Sequence, residues 1–242
     1  MNIFTYWEGN VPEYIAKCFL NLLQYNARHP VTVITPENID HWCGNLLHPN
    51  FKKLKSPAQR ADCVRVATIL QHGGLWVEAD CLFIKEVPDF SGDEDFCFMQ
   101  WDDGRVLNGY FYSRPGSPVM QEWLRRINVI LAQGMPLSWT ALGEQILTPL
   151  VLYTFPSLCR KMNREIFIPI NTDRIPFVFF EPIHPSAFIK PQTVAVNLNH
   201  SFFLANHPEI IQDLNFTRLK PDMLFSILMS EYDYNASKRE TI

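Results

Sequence analysis

The sequence predicts an α/β fold with a mostly parallel central sheet flanked by helices. Short β-branched or aromatic runs alternate with helical stretches along the N-terminal part of the chain, and this alternation is typical of a parallel α/β sheet. The 242 residues are also enough for one large domain with its own core. Ligands of such sheets bind beyond the carboxyl ends of the strands, so candidate site residues are expected there.

The composition is that of a globular protein, with 47% hydrophobic and 13% aromatic residues. A formal net charge of −4 and a pI near 6.0 argue against a nucleic-acid surface, which is normally basic. The longest uncharged runs are interrupted by Pro136, Pro149 and Pro156 and fall short of a bilayer span. We therefore expect no nucleic-acid partner and no transmembrane segment.

The six cysteines show no CxxC spacing, and several lie in apolar segments. This pattern favours buried thiols in a reducing compartment over a disulfide framework. The N-terminus also lacks the basic region and apolar core of a signal peptide. The sequence therefore predicts a cytoplasmic location.

Two strand–helix pairs are predicted at the start of the chain. Ile3–Trp7 is an apolar and aromatic run that predicts the first strand. In Pro12–Asn26, apolar residues recur every three or four positions, as in an amphipathic helix. The β-branched run Val31–Thr35 predicts the second strand, and Glu37–Leu47 predicts a second helix.

A third helix is predicted from Ser56 to about His72. Ser56 followed by Pro57 is a helix start, because proline at the first helical position loses no hydrogen bond. Gly73 and Gly74 are expected to end the helix in the left-handed turn that residues without a Cβ adopt easily.

The next predicted strand, Leu75–Asp80, carries two acidic residues. Side chains alternate along a strand, so Glu78 and Asp80 are expected on the same side. On the preceding helix, Asp62 and Arg65 are three positions apart and therefore neighbours on one face. The sequence thus predicts a compact unit that combines an acid pair, an arginine and a third carboxylate.

Further elements are predicted in the rest of the chain. The strands are Cys81–Ile84, as an extension of the acid-pair strand, Phe96–Gln100, Val106–Ser113, Ile166–Ile168 and Phe177–Phe180. The helices are 119–132 and Asp222–Tyr232.

Residues in the central stretch resemble a known signature, A-x-S/A-D-x-x-R-x-x-x-L-x-x-x-G-G-x-Y/W-x-D-x-D. It is typical of glycosyltransferases with a DXD sugar-binding region: capsular-polysaccharide synthesis enzymes, fungal initiating mannosyltransferases, clostridial glucosylating toxins and short algal-virus relatives. The chain departs from it at Glu78, where the family usually has Asp. The matching residues are Ala61, Asp62, Arg65, Leu70, Gly73, Gly74, Trp76, Glu78 and Asp80.

This resemblance implies a Rossmann-like glycosyltransferase type-A fold and a metal-dependent transfer reaction. The donor would be a nucleotide-diphosphate sugar, with UDP or GDP, and the acceptor a glycan, polysaccharide or glycoconjugate, as in polysaccharide biosynthesis. The cofactor would be Mn²⁺ or Mg²⁺. One domain over 1–242 is expected, in which 1–100 is the nucleotide-sugar-binding half and 101–242 is the acceptor-side half with the C-terminal helix.

The resemblance also implies roles for individual residues. Asp80 is the expected metal ligand, and Glu78 is expected to contact the ribose or the metal through water, because hard cations prefer oxygen ligands. His200 matches the position of an element that completes the metal and diphosphate site. Arg65 suits the donor sugar or phosphate, and Asp62 suits the sugar hydroxyls.

Three N-terminal residues and one later residue complete the expected donor site. The segment IFTYWEGNVPEYIAKCF resembles the capsular-polysaccharide branch, in which the first strand meets the nucleotide base. Thr5, Tyr6 and Trp7 are the candidates for that contact. Tyr6 and Trp7 point to opposite faces of a strand, so one is expected in the core and one in the site. Asn108 lies in a segment that family members use near the donor sugar or acceptor.

The acceptor side offers weaker signals. An inverting enzyme needs a carboxylate base there, and Asp102 and Asp103 are the candidates; a retaining enzyme needs none. Trp139–Val151 resembles the family's acceptor-side helix start, but Glu144 and Gln145 replace the usual proline.

Two other functions remain open from the sequence. A nucleotide-sugar hydrolase would use the same donor site with water as acceptor. The chain would instead be a non-catalytic nucleotide-sugar-binding module if Glu78, in place of the usual Asp, prevented metal binding.

Overall fold

The computed structural model describes residues 1–134, 136–171, 174–206 and 221–230. The chain divides into two compact units, each made of several segments. Unit 1 consists of Met1–Gly9, Ala27–Ala79 and Pro88–Arg164, and unit 2 consists of Asn10–Asn26, Asp80–Val87 and Glu165–Ile242. The expectation of a single domain over 1–242 stays a prediction.

Eight strands and eight helices are named here within the described residues. The strands are β1 (Ile3–Tyr6), β2 (Val31–Ile34), β3 (Gly74–Trp76), β4 (Cys81–Phe83), β5 (Phe96–Gln100), β6 (Val106–Ser113), β7 (Cys159–Lys161) and β8 (Ala195–Asn197). The helices are α1 (Glu13–Tyr25), α2 (Ile39–Cys43), α3 (Pro57–His72), α4 (Pro118–Gln133), α5 (Glu144–Pro149), α6 (Ile175–Val178), α7 (His200–Asn206) and α8 (224–230).

Unit 1 contains a six-stranded sheet in the order β2-β1-β3-β6-β5-β7. Strand β1 pairs in parallel with β2 and β3, and β5 pairs in parallel with β7. Strand β6 is antiparallel to both β3 and β5. The prediction of an α/β fold with a central, mostly parallel sheet is confirmed.

Helix α3 begins and ends where the sequence predicts. Pro57 occupies its first turn, and the amide of Gly73 closes its last turn on the carbonyl of Ile69 at 2.9 Å. Gly73 has φ +62° and Gly74 has φ +114°. A Cβ on Gly74 would lie 2.5 Å from the carbonyl oxygen of Asn2, so this position needs glycine for space as well as for conformation.

The predicted strand Leu75–Asp80, extended through Cys81–Ile84, is wrong as one strand. Strand β3 ends at Trp76, and the chain turns at positions 79–80. Strand β4 belongs to unit 2, where it pairs antiparallel with β8 in a separate two-stranded sheet. The carbonyl of Asp80 accepts a hydrogen bond from the amide of Leu198 at 2.8 Å, which starts that second pairing.

Four other predictions differ from the structure. The predicted strands Ile166–Ile168 and Phe177–Phe180 are wrong: a 3₁₀ turn covers Arg164–Ile166, and α6 is helical because the amide of Phe179 bonds to the carbonyl of Ile175. The helix predicted over Glu37–Leu47 is the short α2 followed by a 3₁₀ turn. Of the predicted helix Asp222–Tyr232, residues 224–230 are helical, and 231–232 lie outside the described residues.

The cysteines are free thiols, as predicted. All six lie within the described ranges, and five of them are buried. The helices of the described residues include none that is long and apolar enough to cross a membrane.

Candidate functional site

Asp62 and Arg65 lie one turn apart on the buried face of α3. Only 5% of Asp62 and 4% of Arg65 is exposed. Their closest charged atoms, Arg65 Nη2 and Asp62 Oδ1, are 3.5 Å apart. The sequence-predicted neighbours therefore form a buried ion pair, which is uncommon unless further groups compensate both charges.

Four further groups surround the Arg65 guanidinium. Its Nη1 donates to Glu78 Oε1 at 3.0 Å and to the carbonyl of Asn108 at 2.5 Å. Its Nε donates to the carbonyl of Ala61 at 3.3 Å, and its central carbon lies 5.4 Å from the ring centroid of Trp76. These contacts fix the orientation of the arginine.

Asn108 completes the cluster from the neighbouring strand. Its Nδ2 donates to Asp62 Oδ1 at 2.7 Å. Glu78 follows β3 and Asn108 lies on β6, and these strands are paired, so the sheet brings both beside α3. We call these four residues the unit 1 cluster: Asp62, Arg65, Glu78 and Asn108. The structure brings together four of the predicted donor-binding residues.

The pKa of the Asp62 carboxyl is shifted by burial and by its charged neighbours. The pKa of this carboxyl is raised from 3.8 to about 7, mainly by burial and also by the nearby carboxylates of Glu78 and Glu144. Arg65 and the hydrogen bond from Asn108 act in the opposite direction. The carboxyl is therefore poised to gain or lose a proton near neutral pH.

The predicted base-contacting residues lie at the carboxyl end of β1. Thr5 is buried, and its Oγ1 has no hydrogen-bond partner among the described residues. Tyr6 is also buried and donates its hydroxyl to Glu8 Oε2 at 3.0 Å. Trp7 is partly exposed. Of the two aromatic residues, Tyr6 is therefore the core residue.

Glu8 and Arg60 fix the end of β1, and sequence reasoning missed both. Arg60 Nε donates to the two carboxylate oxygens of Glu8 at 2.9 and 2.8 Å, and Arg60 Nη2 lies 2.7 Å from Glu8 Oε1. Arg60 also donates to the carbonyl of Leu54. The two charged residues are 52 positions apart, so no local pattern could have revealed the pair.

The predicted catalytic residues lie in the turn between β5 and β6. Asp103 accepts hydrogen bonds from the amide and the Nε of Arg105, at 3.1 and 2.8 Å, and these bonds lower the pKa of its carboxyl. Asp102 is more accessible, with 79% of its side chain exposed, and lies 3.1 Å from Arg164.

Glu144, at the start of α5, anchors the same turn. Its carboxylate accepts hydrogen bonds from Trp101 Nε1 at 2.9 Å and Arg105 Nη1 at 2.8 Å. The residue that replaces the family's usual proline therefore has a structural contact of its own. The sequence offered no signal for it.

Unit 2 holds Asp80 and His200 together. Asp80 Oδ2 accepts from the backbone amide of His200 at 2.5 Å, and Oδ1 accepts from Asn197 Nδ2 at 3.1 Å. The hydroxyl of Tyr14 is hydrogen-bonded to His200 Nδ1. Burial raises the pKa of Asp80 and lowers that of His200, which favours the neutral imidazole.

The predicted metal ligands are divided between the units. Asp80 and His200 belong to unit 2, whereas Glu78 belongs to unit 1 and pairs with Arg65. The described residues contain no group of three or more His, Cys, Asp or Glu side chains that could hold a metal ion.

Comparison with known sequences finds a family match in the N-terminal part of the chain. Residues 1–118 match the family described as capsular polysaccharide synthesis protein. A protein of Acanthamoeba polyphaga mimivirus, named as an uncharacterised glycosyltransferase, is 30% identical over 118 residues. That alignment covers 46% of this chain and 47% of the viral protein, so the chain matches about half of its relative's length.

Two solved structures share the fold at low sequence identity. The PaToxG glycosyltransferase superposes with a TM-score of 0.54 and 15% identity, covering 64% of this chain and 69% of that one. The glycosyltransferase GlyE of Streptococcus pneumoniae gives a TM-score of 0.51 and 10% identity, covering 97% of this chain and 63% of that one. The first 118 residues thus match the capsular polysaccharide synthesis family, and the chain has the fold of the type-A glycosyltransferases.

Proposed function

We propose that this chain is a metal-dependent glycosyltransferase. It would transfer a sugar from a UDP- or GDP-sugar to a glycan, polysaccharide or glycoconjugate acceptor. The family match over residues 1–118, the name of the viral relative and the type-A fold support this function.

The unit 1 cluster is the observation that carries the proposal. It joins two carboxyl groups, a guanidinium and an amide by hydrogen bonds of 2.5 to 3.0 Å. Arg65 and Asp62 are buried, whereas 34% of the Glu78 side chain is exposed, so the cluster reaches solvent at Glu78. The cluster thus offers hydrogen-bonding groups in fixed positions, buried on one side and accessible to solvent on the other. Such a site is suited to a polar ligand with many hydroxyl and phosphate oxygens.

The residues of unit 1 have distinct roles in this proposal. Arg65 binds sugar or phosphate oxygens, because its guanidinium is always charged and its orientation is fixed. Asp62 accepts hydrogen bonds from sugar hydroxyls, and Asn108 orients it. Thr5 and Trp7 contact the nucleotide base at the end of β1, while Tyr6 supports them from the core.

Asp80 and His200 are the residues of unit 2 that would hold the divalent cation. A carboxylate and a neutral imidazole fit Mn²⁺, and the carboxylate fits Mg²⁺. Two protein ligands leave positions for phosphate and water, as is usual where such an ion is bound together with a nucleotide. When bound, the cation would act as a Lewis acid that stabilises charge on the departing diphosphate.

Of the two predicted bases, Asp102 fits an inverting reaction better. Asp103 is held by Arg105, which lowers the pKa of its carboxyl; Asp102 pairs with Arg164 at 3.1 Å, but 79% of its side chain is exposed, against 53% for Asp103. A base must be free to approach the acceptor hydroxyl.

A nucleotide-sugar screen tests the proposal. UDP-glucose, UDP-galactose, UDP-N-acetylglucosamine and GDP-mannose would each be added with and without Mn²⁺, and the melting temperature measured. We expect at least one donor to raise it in a Mn²⁺-dependent manner and to be consumed faster when oligosaccharide acceptors are present. Consumption independent of acceptor would indicate a hydrolase instead, and Mn²⁺-independent binding without turnover would indicate a binding module.

A further inference from the structure

Two glycines, Gly109 and Gly143, lie directly against the unit 1 cluster. Neither of them has the positive φ of the left-handed region that favours glycine. What distinguishes them is the space that a side chain would require. In both cases the nearest atoms belong to residues of the cluster.

Gly143 precedes α5 and faces Asn108. A Cβ at this position would lie 2.1 Å from Asn108 Nδ2, 2.9 Å from Asn108 Cγ and 3.2 Å from Asp62 Oδ2. Packed interiors do not tolerate such overlaps, so a neighbour would have to move. The atom in the way is the one that donates to Asp62, so the Asn108 amide cannot move without breaking that hydrogen bond.

Gly109 lies on β6 and faces Glu78. A Cβ here would lie 2.5 Å from Glu78 Oε1, 2.8 Å from its Cγ and 3.0 Å from its Cδ. Glu78 Oε1 is the atom that accepts from Arg65. Any side chain at position 109 would therefore displace the whole carboxylate from the guanidinium.

We propose that Gly109 and Gly143 are positioning residues of the donor site, an inference that rests on the proposed function. Gly143 allows the start of α5 to hold the Asn108 amide on Asp62, and Gly109 allows the Glu78 carboxylate to lie on Arg65. The two glycines act through the cluster and need not touch the donor.

Double-mutant cycles without any ligand test the packing. Gly143→Ala would be made in the wild type and in Asn108→Ala, and Gly109→Ala in the wild type and in Glu78→Ala. We expect each alanine to lower the melting temperature of the wild type and to have little further effect once the facing side chain is removed. Equal losses in both backgrounds would overturn the proposal. If Gly143→Ala alone fails to fold, recovery of folding in the Asn108→Ala background supports it.

Donor binding provides the readout that a purely structural role would not change. With the nucleotide sugar selected by the screen, Gly109→Ala should weaken binding about tenfold, as Glu78→Ala does, and the double variant should be no weaker, since one charge-assisted contact is lost in each case. Gly143→Ala should match Asn108→Ala in the same way. Wild-type affinity in folded Gly109→Ala and Gly143→Ala would overturn the proposal.

Gly92→Ala is the matched control. A Cβ there would lie 2.9 Å from Glu94 Oε2, the tip of a partly exposed side chain that pairs with Arg160, and no atom of the unit 1 cluster lies within 4 Å of it. We expect wild-type stability and binding. If the wild type binds no nucleotide sugar, the proposed function fails, and the packing inference is then decided by the double-mutant cycles alone.

Discussion

Asn108 donates its side-chain amide to Asp62 Oδ1 at 2.7 Å, although the two residues are 46 positions apart. The bond joins β6 to α3 next to a buried arginine. It also keeps the Asp62 carboxyl, whose pKa is raised to about 7, in a single orientation.

Asp62 should make the stability of the protein depend on pH. Between about pH 4 and pH 7 the folded state binds a proton at Asp62 that the unfolded state has lost, because the pKa rises from 3.8 to about 7 on folding. This contribution is fully present at acidic pH and is lost as the pH rises through 7. The unfolding free energy of the wild type should therefore fall relative to Asp62→Asn over this range, as measured by urea denaturation. Parallel curves would contradict the shift.

Removing the Arg65 charge should strongly destabilise the protein. Arg65→Met leaves the carboxylates of Asp62 and Glu78 without their buried cation, and such a loss costs about 3 kcal/mol. Arg126→Met is the control, since Arg126 pairs with Glu122 on the surface of α4 and its loss should cost at most about 0.5 kcal/mol. Guanidinium denaturation of both variants would measure the difference. Similar losses would mean that Arg65 contributes no more than a surface pair.

Asp80 should govern metal-dependent binding. In Asp80→Asn the carboxylate charge is lost while the side-chain size is kept, so Mn²⁺ affinity should fall at least about tenfold. Asp102→Asn should leave it unchanged, because Asp102 is proposed as a base and not as a metal ligand. Electron paramagnetic resonance of free Mn²⁺, recorded with UDP present, measures both. Equal Mn²⁺ affinity in wild type and Asp80→Asn would reject Asp80 as a ligand.

The Glu8–Arg60 pair should support the base-contacting segment. Glu8→Gln removes the charge that holds Arg60 and accepts the hydroxyl of Tyr6. We expect a loss of about 1–2 kcal/mol of stability, typical of charge-assisted hydrogen bonds. The affinity for UDP or GDP should also fall, measured by calorimetry.

The exposed carboxylate of Glu37 offers the control for this experiment. Glu37→Gln should leave nucleotide affinity at the wild-type level. A Glu8→Gln variant with unchanged affinity would show that the end of β1 does not contact the base.

Local patterns predicted much of the fold. The limits of α3, β5 and β6 follow from a proline, glycines and runs of apolar residues close in sequence, although the Ser56 side chain makes no capping hydrogen bond. The segment from Leu75 to Ile84 was mispredicted as one strand because β4 pairs with β8, which lies more than a hundred positions further along the chain. The hydrophobic pattern alone does not reveal such a distant pairing. The apolar residues of this segment are compatible with a strand in the six-stranded sheet or in the two-stranded sheet of β4 and β8.

The candidate site also contains residues that local patterns predicted and residues that they missed. Asp62, Arg65 and Glu78 were found because a signature fixed their spacing on one segment, and Asn108 was found because its segment resembles one that family members use. Glu8, Arg60 and Glu144 were missed because their importance lies in partners distant along the chain. Gly143 was missed because its significance is the volume it leaves to Asn108, which no residue-level pattern records.

Strand β3 spans only three residues, yet it occupies the middle of the six-stranded sheet and follows directly from α3. The amides of Leu75 and Val77 donate to the carbonyls of Asn2 and Phe4 at 2.9 and 3.0 Å. So short a central strand makes the helix that carries Asp62 and Arg65 and the sheet beside it one cooperative folding unit. Deuterium exchange at these two amides would therefore report the integrity of α3 in the absence of any ligand.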